Sequence, residues 1–204
     1  MIERGAPVAL VGAGTMGAGI AQVAAVAGHP VIVYDAAEGA AARAVAAVRD
    51  RGARLVQKGR LEGPADLRLE VAGELGELAR AACVIEAVAE DLAVKQALFA
   101  DLEKVVAPDC VLATNTSSLS PTAIAAGLSH PGRLVGLHFF NPAPVMRLVE
   151  VVSGLATDPA VAAAVTTLAQ DWGKQVVQAS ATPGFIVNRV ARCWCAATAG
   201  PRPR

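Results

Sequence analysis

Short apolar runs alternate with longer stretches in which apolar residues recur at helical spacing, and this alternation continues to about Val177. Val8-Ala9-Leu10-Val11 and Val31-Ile32-Val33-Tyr34 read as buried strands on either side of an Ala-rich helix. Residues 36–56 keep a helical apolar period, with Arg43, Arg49, Arg51 and Arg54 on the wetter side, until Gly59 and Gly63-Pro64 break it. A weak strand is expected at 67–71, a short helix at 75–82, a strand at 83–88 and a helix at 92–106 stopped by Pro108. Further strands are expected at 111–114, 134–139, 148–152 and 175–177. Asp158-Pro159 opens a helix with a capping carboxylate followed by proline at the first helical position. Strands alternating with helices predict a Rossmann-like α/β fold: a doubly wound, mostly parallel sheet. The loop holding Pro142 and Pro144 turns the chain back, so the strands at 134–139 and 148–152 form an antiparallel pair near the C-terminal end. In such sheets ligands sit beyond the carboxyl ends of the strands, which gathers Asp35, Glu90, Asn115, Ser117 and His138 toward one rim.

Composition narrows the function without deciding it. The formal net charge is zero and aromatics make up 3% of the chain, which leaves no electrostatic footprint for nucleic acid. The uncharged stretch 7–34 is cut by four glycines before Ala21 and by Gly28-His29-Pro30 into pieces too short for a bilayer, so no membrane span is expected. Glu3 and Arg4 cancel, and no signal-peptide pattern follows. Cys83, Cys110, Cys193 and Cys195 form no C-x-x-C pair and no metal-ligand pattern. Reduced, buried thiols in a cytoplasmic protein are the plain reading.

The first strand, helix and second strand carry the chemistry. Gly12, Gly14 and Gly17 stand in G-x-G-x-x-G spacing, with Thr15 and Met16 inside the turn, and Asp35 ends the second strand. Gly12 permits the tight turn, Gly14 lets backbone approach a pyrophosphate, and Gly17 lets helix and strand pack closely. The helix N-terminus offers N–H groups and a positive dipole end to phosphates. Asp35 suits the ribose hydroxyls of NAD and would repel the extra phosphate of NADP. NAD is therefore the expected cofactor. Alcohol oxidation also needs a base, and His138 is the best of three histidines. His29 and His130 sit beside prolines and read as solvated turn residues. Glu150 lies twelve residues past His138, so an antiparallel pairing would return its carboxylate to the imidazole. The competing partner for Glu150 is Arg147.

Five segments, GAGTMGAGIA, EAVAEDLAVK, ATNTSSLS, HFFNPAPVMRLVEVV and PGFIVNR, occur in the order seen in the 3-hydroxyacyl-CoA dehydrogenases. The chain resembles that family from Pro7 to Arg192. The resemblance implies His138 as general base with Glu150 as its paired acid, and Ser117 and Asn188 hydrogen-bonding the substrate oxygen. It places Glu90, Lys95, Ser117 and Asn141 near the cofactor. Lys58 looks like the lysine that reaches coenzyme A phosphates, the alternative being a solvated lysine at a helix end. The implied reaction removes the hydroxyl proton and the C3 hydride of an L-3-hydroxyacyl-CoA, in fatty acid or related acyl-CoA metabolism. Ser118 and Thr116 are read as ordinary turn residues. The small-acid 3-hydroxyacid dehydrogenases share Gly14-Thr15-Met16-Gly17 but use a lysine base, and the L-gulonate dehydrogenases share more.

The departure is at the end. Family members continue into a helical domain that closes the acyl pocket and forms the homodimer, whereas here residues 193–204 run CWCAATAGPRPR. The expected division is 1–184 for the NAD-binding domain and 185–204 for the start of a truncated helical domain with an aberrant tail, a frameshift in a GC-rich gene being one origin. A helix opening at Phe185 would then leave Ile186, Val190 and Trp194 uncovered, and the fragment could bind NAD without useful turnover.

Overall fold

Val8–Val11 (β1) and Val31–Tyr34 (β2) are buried almost throughout, as near-continuous apolar runs in a parallel sheet should be. Between them Thr15–Val26 (α1) has Gly14 as its N-cap residue. The computed structural model describes residues 2–59 and 67–191. Ala40–Gln57 (α2) buries Ala41, Ala44, Val45 and Val48 and turns all four of its predicted arginines to solvent. Leu69–Val71 (β3) and Cys83–Glu86 (β4) follow, separated by a 3₁₀ turn at Leu75–Arg80 where a helix was expected. Leu92–Val105 (α3) starts at Asp91, whose side chain accepts from the Val94 N–H at 3.0 Å. Val111–Thr114 (β5), the one-turn helix Pro121–Ala125 (α4), Leu134–Phe139 (β6) and Leu148–Ser153 (β7) come next. Pro159–Asp171 (α5) carries the expected cap, Asp158 accepting from the Ala160 N–H at 2.7 Å. Gln175–Ser180 (β8) is longer than predicted because it pairs along the whole of β7.

The eight strands lie in the order β3-β2-β1-β4-β5-β6-β7-β8. Every pairing is parallel except β6 with β7. The chain goes outward from β1 in one direction through β2 and β3, then in the other from β4 onward. The crevice at that reversal is where such sheets bind ligands. Alternate residues of the central strands feed two cores. Val8, Leu10 and Ile85 face α1, α2 and α5, while Ala9, Val11 and Val84 face α3 and α4.

Several expectations need correction. His29 is 2% exposed, not a solvated turn residue: its Nδ1 lies 2.8 Å from the Ala6 carbonyl and its ring meets Trp172 edge-on. The proline beside it suggested a turn, but packing beneath Trp172 decided its exposure. His130 is exposed as expected. The helical residues after β8 begin at 187, since Phe185 takes a positive φ of 48° that a helix cannot continue. Ile186 and Val190 are exposed, whereas Gly63-Pro64, Trp194 and the 193–204 tail lie outside the described residues. Cys83 and Cys110 are buried free thiols. Burial pushes Cys83 well above its ordinary value and Cys110 up to about 12, so both stay protonated. No helix among the described residues is long and apolar enough to cross a membrane.

Candidate active site

The glycine turn has the geometry its spacing implied. Gly12 has φ +99°, and a Cβ there would stand 2.6 Å from the Ala87 carbonyl oxygen. A Cβ on Gly17 would fall 1.7 Å from the Gly12 carbonyl oxygen, so the helix approaches the turn closer than any side chain allows. A Cβ on Gly14 would meet nothing within 4 Å. The space over that N-cap is open, as a phosphate needs. Asp35 locks the turn: one carboxylate oxygen accepts from the Ala13 N–H at 2.6 Å and the other from the Ala37 N–H at 2.8 Å. Each oxygen keeps a lone pair for a sugar hydroxyl. A cavity of about 510 Å³ beside Gly12, Gly14 and Asp35 adjoins a second of about 430 Å³ that reaches His138, Ser117 and Asn188, the two sharing Ala87 and Val88 as a wall. A chain of two lobes meeting at the strand-order reversal suits a dinucleotide.

At the second lobe, β6 and β7 pair in a register that sets His138 directly opposite Glu150. His138 Nδ1 lies 2.8 Å from Glu150 Oε2 with both groups buried. A carboxylate acceptor assigns the proton to Nδ1 and leaves Nε2 with a free lone pair. Arg147 is not the partner of Glu150. Its other oxygen instead accepts from the Ile186 and Val187 N–H groups at 3.0 and 2.9 Å. The same carboxylate that orients the imidazole therefore caps the start of the helical residues bearing Asn188. Phe140 and Phe185 pack against the ring, with centroids 4.5 and 5.8 Å away. Asn188 Nδ2 donates to the Ser117 carbonyl at 3.0 Å, which brings those two expected residues together beside the histidine. Asn141 and Met16 also line this lobe.

The structure brings out residues whose roles the sequence did not show. Glu90 Oε1 accepts from Thr116 Oγ1 at 2.7 Å and from the Ser117 and Ser118 N–H groups at 2.8 and 3.1 Å, with both serine hydroxyls also within reach. Burial alone would raise the Glu90 carboxyl, but the Thr116 and Ser117 hydrogen bonds and Lys95 outweigh it and hold it below the usual carboxylate range. Thr116 and Ser118 are thus the loop's attachment to Glu90 rather than incidental turn residues. Lys95, expected near the cofactor, is only 1% exposed: its ammonium pairs with Glu86 and lies 3.5 Å from Glu90. Thr114 Oγ1 and the Val88 N–H complete the Glu86 shell. Asn115 Oδ1 accepts from the Phe139 N–H at 2.8 Å and so fixes the backbone next to His138. Lys58 is exposed at the C-cap of α2, outside both lobes.

Residues 7–182 match the family described as 3-hydroxyacyl-CoA dehydrogenase, NAD binding domain. The chain belongs to the 3-hydroxyacyl-CoA dehydrogenase family. Over 189 residues it is 52% identical to a 3-hydroxyadipyl-CoA dehydrogenase of Escherichia coli, covering 91% of this chain and 40% of that protein. It is 44% identical to a probable 3-hydroxybutyryl-CoA dehydrogenase of Bacillus subtilis, covering 88% of this chain and 64% of that one. The crystal structure of 3-hydroxybutyryl-CoA dehydrogenase from Escherichia coli K12 superposes with a TM-score of 0.90 at 51% identity, over 94% of this chain and 41% of the other. The chain thus spans between two fifths and two thirds of the length of these dehydrogenases. As a member of this NAD-binding-domain family it has NAD as its cofactor, which agrees with the turn and with Asp35. Asp35→Asn is expected to lower NAD+ affinity about tenfold, roughly 1.4 kcal/mol, and to narrow the preference over NADP+. Equilibrium binding of both nucleotides checks this, and an unchanged preference would take Asp35 out of cofactor selection.

Proposed function

We propose that this chain carries the NAD-dependent oxidation of an L-3-hydroxyacyl-CoA to the 3-ketoacyl-CoA, within fatty acid or related acyl-CoA metabolism. The observation that carries the reading is the His138 Nδ1 to Glu150 Oε2 bond of 2.8 Å at the mouth of the lobe next to the glycine turn. When bound, NAD+ supplies the hydride acceptor. His138 Nε2 takes the hydroxyl proton, and Glu150 stabilises the imidazolium that results. Phe140 and Phe185 restrict the ring to one orientation, which lowers the cost of positioning it. Ser117 and Asn188, already joined by a hydrogen bond, stand where they can hold the oxygen as it becomes a carbonyl. Lys58 is proposed to meet the coenzyme A phosphates, supported by its exposure and by its place at the end of α2. We also propose that the domain division falls at 184/185, where Gly184 and Phe185 both take positive φ before the helical residues start.

The test is NADH formation from L-3-hydroxybutyryl-CoA, the corresponding longer acyl-CoA, L-gulonate and free 3-hydroxybutyrate, each with NAD+ and NADP+. Turnover confined to the CoA esters with NAD+ is expected; turnover of a free acid alone would overturn the reading. A second reading, NAD binding without turnover, is favoured by one observation. Ile186 and Val190, which flank Asn188, are 41% and 63% exposed, so the described residues leave the substrate side of the site open to water. Calorimetric NAD+ binding with no turnover on any substrate would select it.

A further inference from the structure

The carboxylates and ammonium behind the Ser117 loop are more than that loop's support requires. Glu86 is fully buried and Lys95 nearly so, and their ion pair is already satisfied by Thr114 and the Val88 N–H. Glu90 adds a second carboxylate to the same ammonium, on a side chain that is 37% exposed and reaches the lobe holding His138. Two carboxylates share one ammonium, so one negative charge is uncompensated. Among the described residues lining that lobe, Glu90 is the one carboxylate, and neither lysine nor arginine is present. The nicotinamide ring is cationic in NAD+ and neutral in NADH, so a fixed charge beside it discriminates between the two forms of one ligand.

We propose that the Glu86–Lys95–Glu90 array shifts the relative affinity of the site toward NAD+ and away from NADH, by leaving the Glu90 charge uncompensated at the nicotinamide lobe. The proposal rests on the cofactor occupying the two lobes as described above. Lys95 acts here through Glu90, not by contact with the cofactor. Holding Lys95 on Glu86 leaves less of its charge for Glu90, and the five donors of the 116–118 loop keep Glu90 ionised and aimed. The His138–Glu150 pair, on the neighbouring strands, also contributes field, but it is common to every variant compared here.

The experiment is equilibrium binding of NAD+ and of NADH to the full chain and to Glu90→Gln, Glu90→Asp and Thr116→Val. Glutamine keeps an oxygen for the loop donors and removes the charge. Its ratio of NADH to NAD+ dissociation constants is expected to fall about three- to tenfold, the range for one partly screened unit charge. Aspartate keeps the charge and should keep a ratio nearer the parent's. Thr116→Val loosens the loop with no charge change, so both affinities should drop with the ratio unmoved. A Glu90→Gln protein that loses both affinities equally, or a Thr116→Val protein whose ratio shifts as much, overturns the proposal while leaving the cofactor site intact. Failure of the parent chain to bind either nucleotide would overturn the cofactor reading and this proposal with it.

Discussion

His138→Ala is expected to lower turnover about 10²- to 10⁴-fold while NAD+ binding stays within about twofold of the parent. The ring is the group that takes the proton, and its removal leaves the hydroxyl no base of suitable pKa in the lobe. The binding half of the expectation follows from the layout. The glycine turn and Asp35 belong to β1, α1 and β2, whereas His138 belongs to β6, across β4 and β5 from them. A truncated ring also leaves Phe140 and Phe185 facing an empty site and Glu150 still capped by the Ile186 and Val187 N–H groups, so the fold should survive. Single-turnover kinetics beside calorimetry separates the two effects. Turnover near that of the parent would remove His138 from the chemistry.

Gly17→Ala is expected to cost the most in structure. The added Cβ would sit 1.7 Å from a backbone oxygen, and no rotamer change relieves a clash with backbone. Either α1 shifts away from β1 or the Gly12 turn opens. Overpacking of this kind costs about 1–3 kcal/mol or more, and NAD+ affinity should fall by at least about a hundredfold as the turn is lost. Gly14→Ala makes the informative contrast, because its Cβ would meet nothing within 4 Å beyond its own chain neighbours. That variant should unfold at nearly the parent's denaturant midpoint and yet bind NAD+ poorly, since its methyl group occupies the space over the α1 N-terminus. Equal loss of stability in the two variants, or unimpaired binding by Gly14→Ala, would contradict the assigned roles.

What could be read in advance follows from how local each constraint is. The Gly12–Gly14–Gly17 turn and Asp35 are legible because spacing along one strand–turn–helix–strand unit fixes their geometry. The His138–Glu150 pair is legible for a related reason: a short proline-bearing loop between two strands leaves few registers, and the observed one sets the two residues opposite. The Glu86–Lys95–Thr114 cluster was hidden, since it joins β4, α3 and β5 through side chains whose meeting depends on packing. Glu90 as the anchor of residues 116–118 was hidden likewise, although a carboxylate and a run of hydroxyl residues, each just past a strand of a parallel pair, is a signal that could have found it. The second use of Glu150, on the N–H groups of Ile186 and Val187, depends on the chain returning over the sheet after β8. His29 shows the opposite failure: a proline neighbour outweighed the possibility of burial under Trp172, a residue over 140 positions away.

The most direct test of the whole account is a crystal structure of the chain with NAD+. The adenosine half is expected beside Asp35, the pyrophosphate over Gly14, and the nicotinamide in the lobe bounded by Met16, Ser117 and Asn188, with the His138 imidazole still held by Glu150 and its Nε2 facing the ring's reactive carbon across room for a substrate. A nicotinamide lying outside that lobe, or an imidazole turned away from it, would contradict the account at its centre.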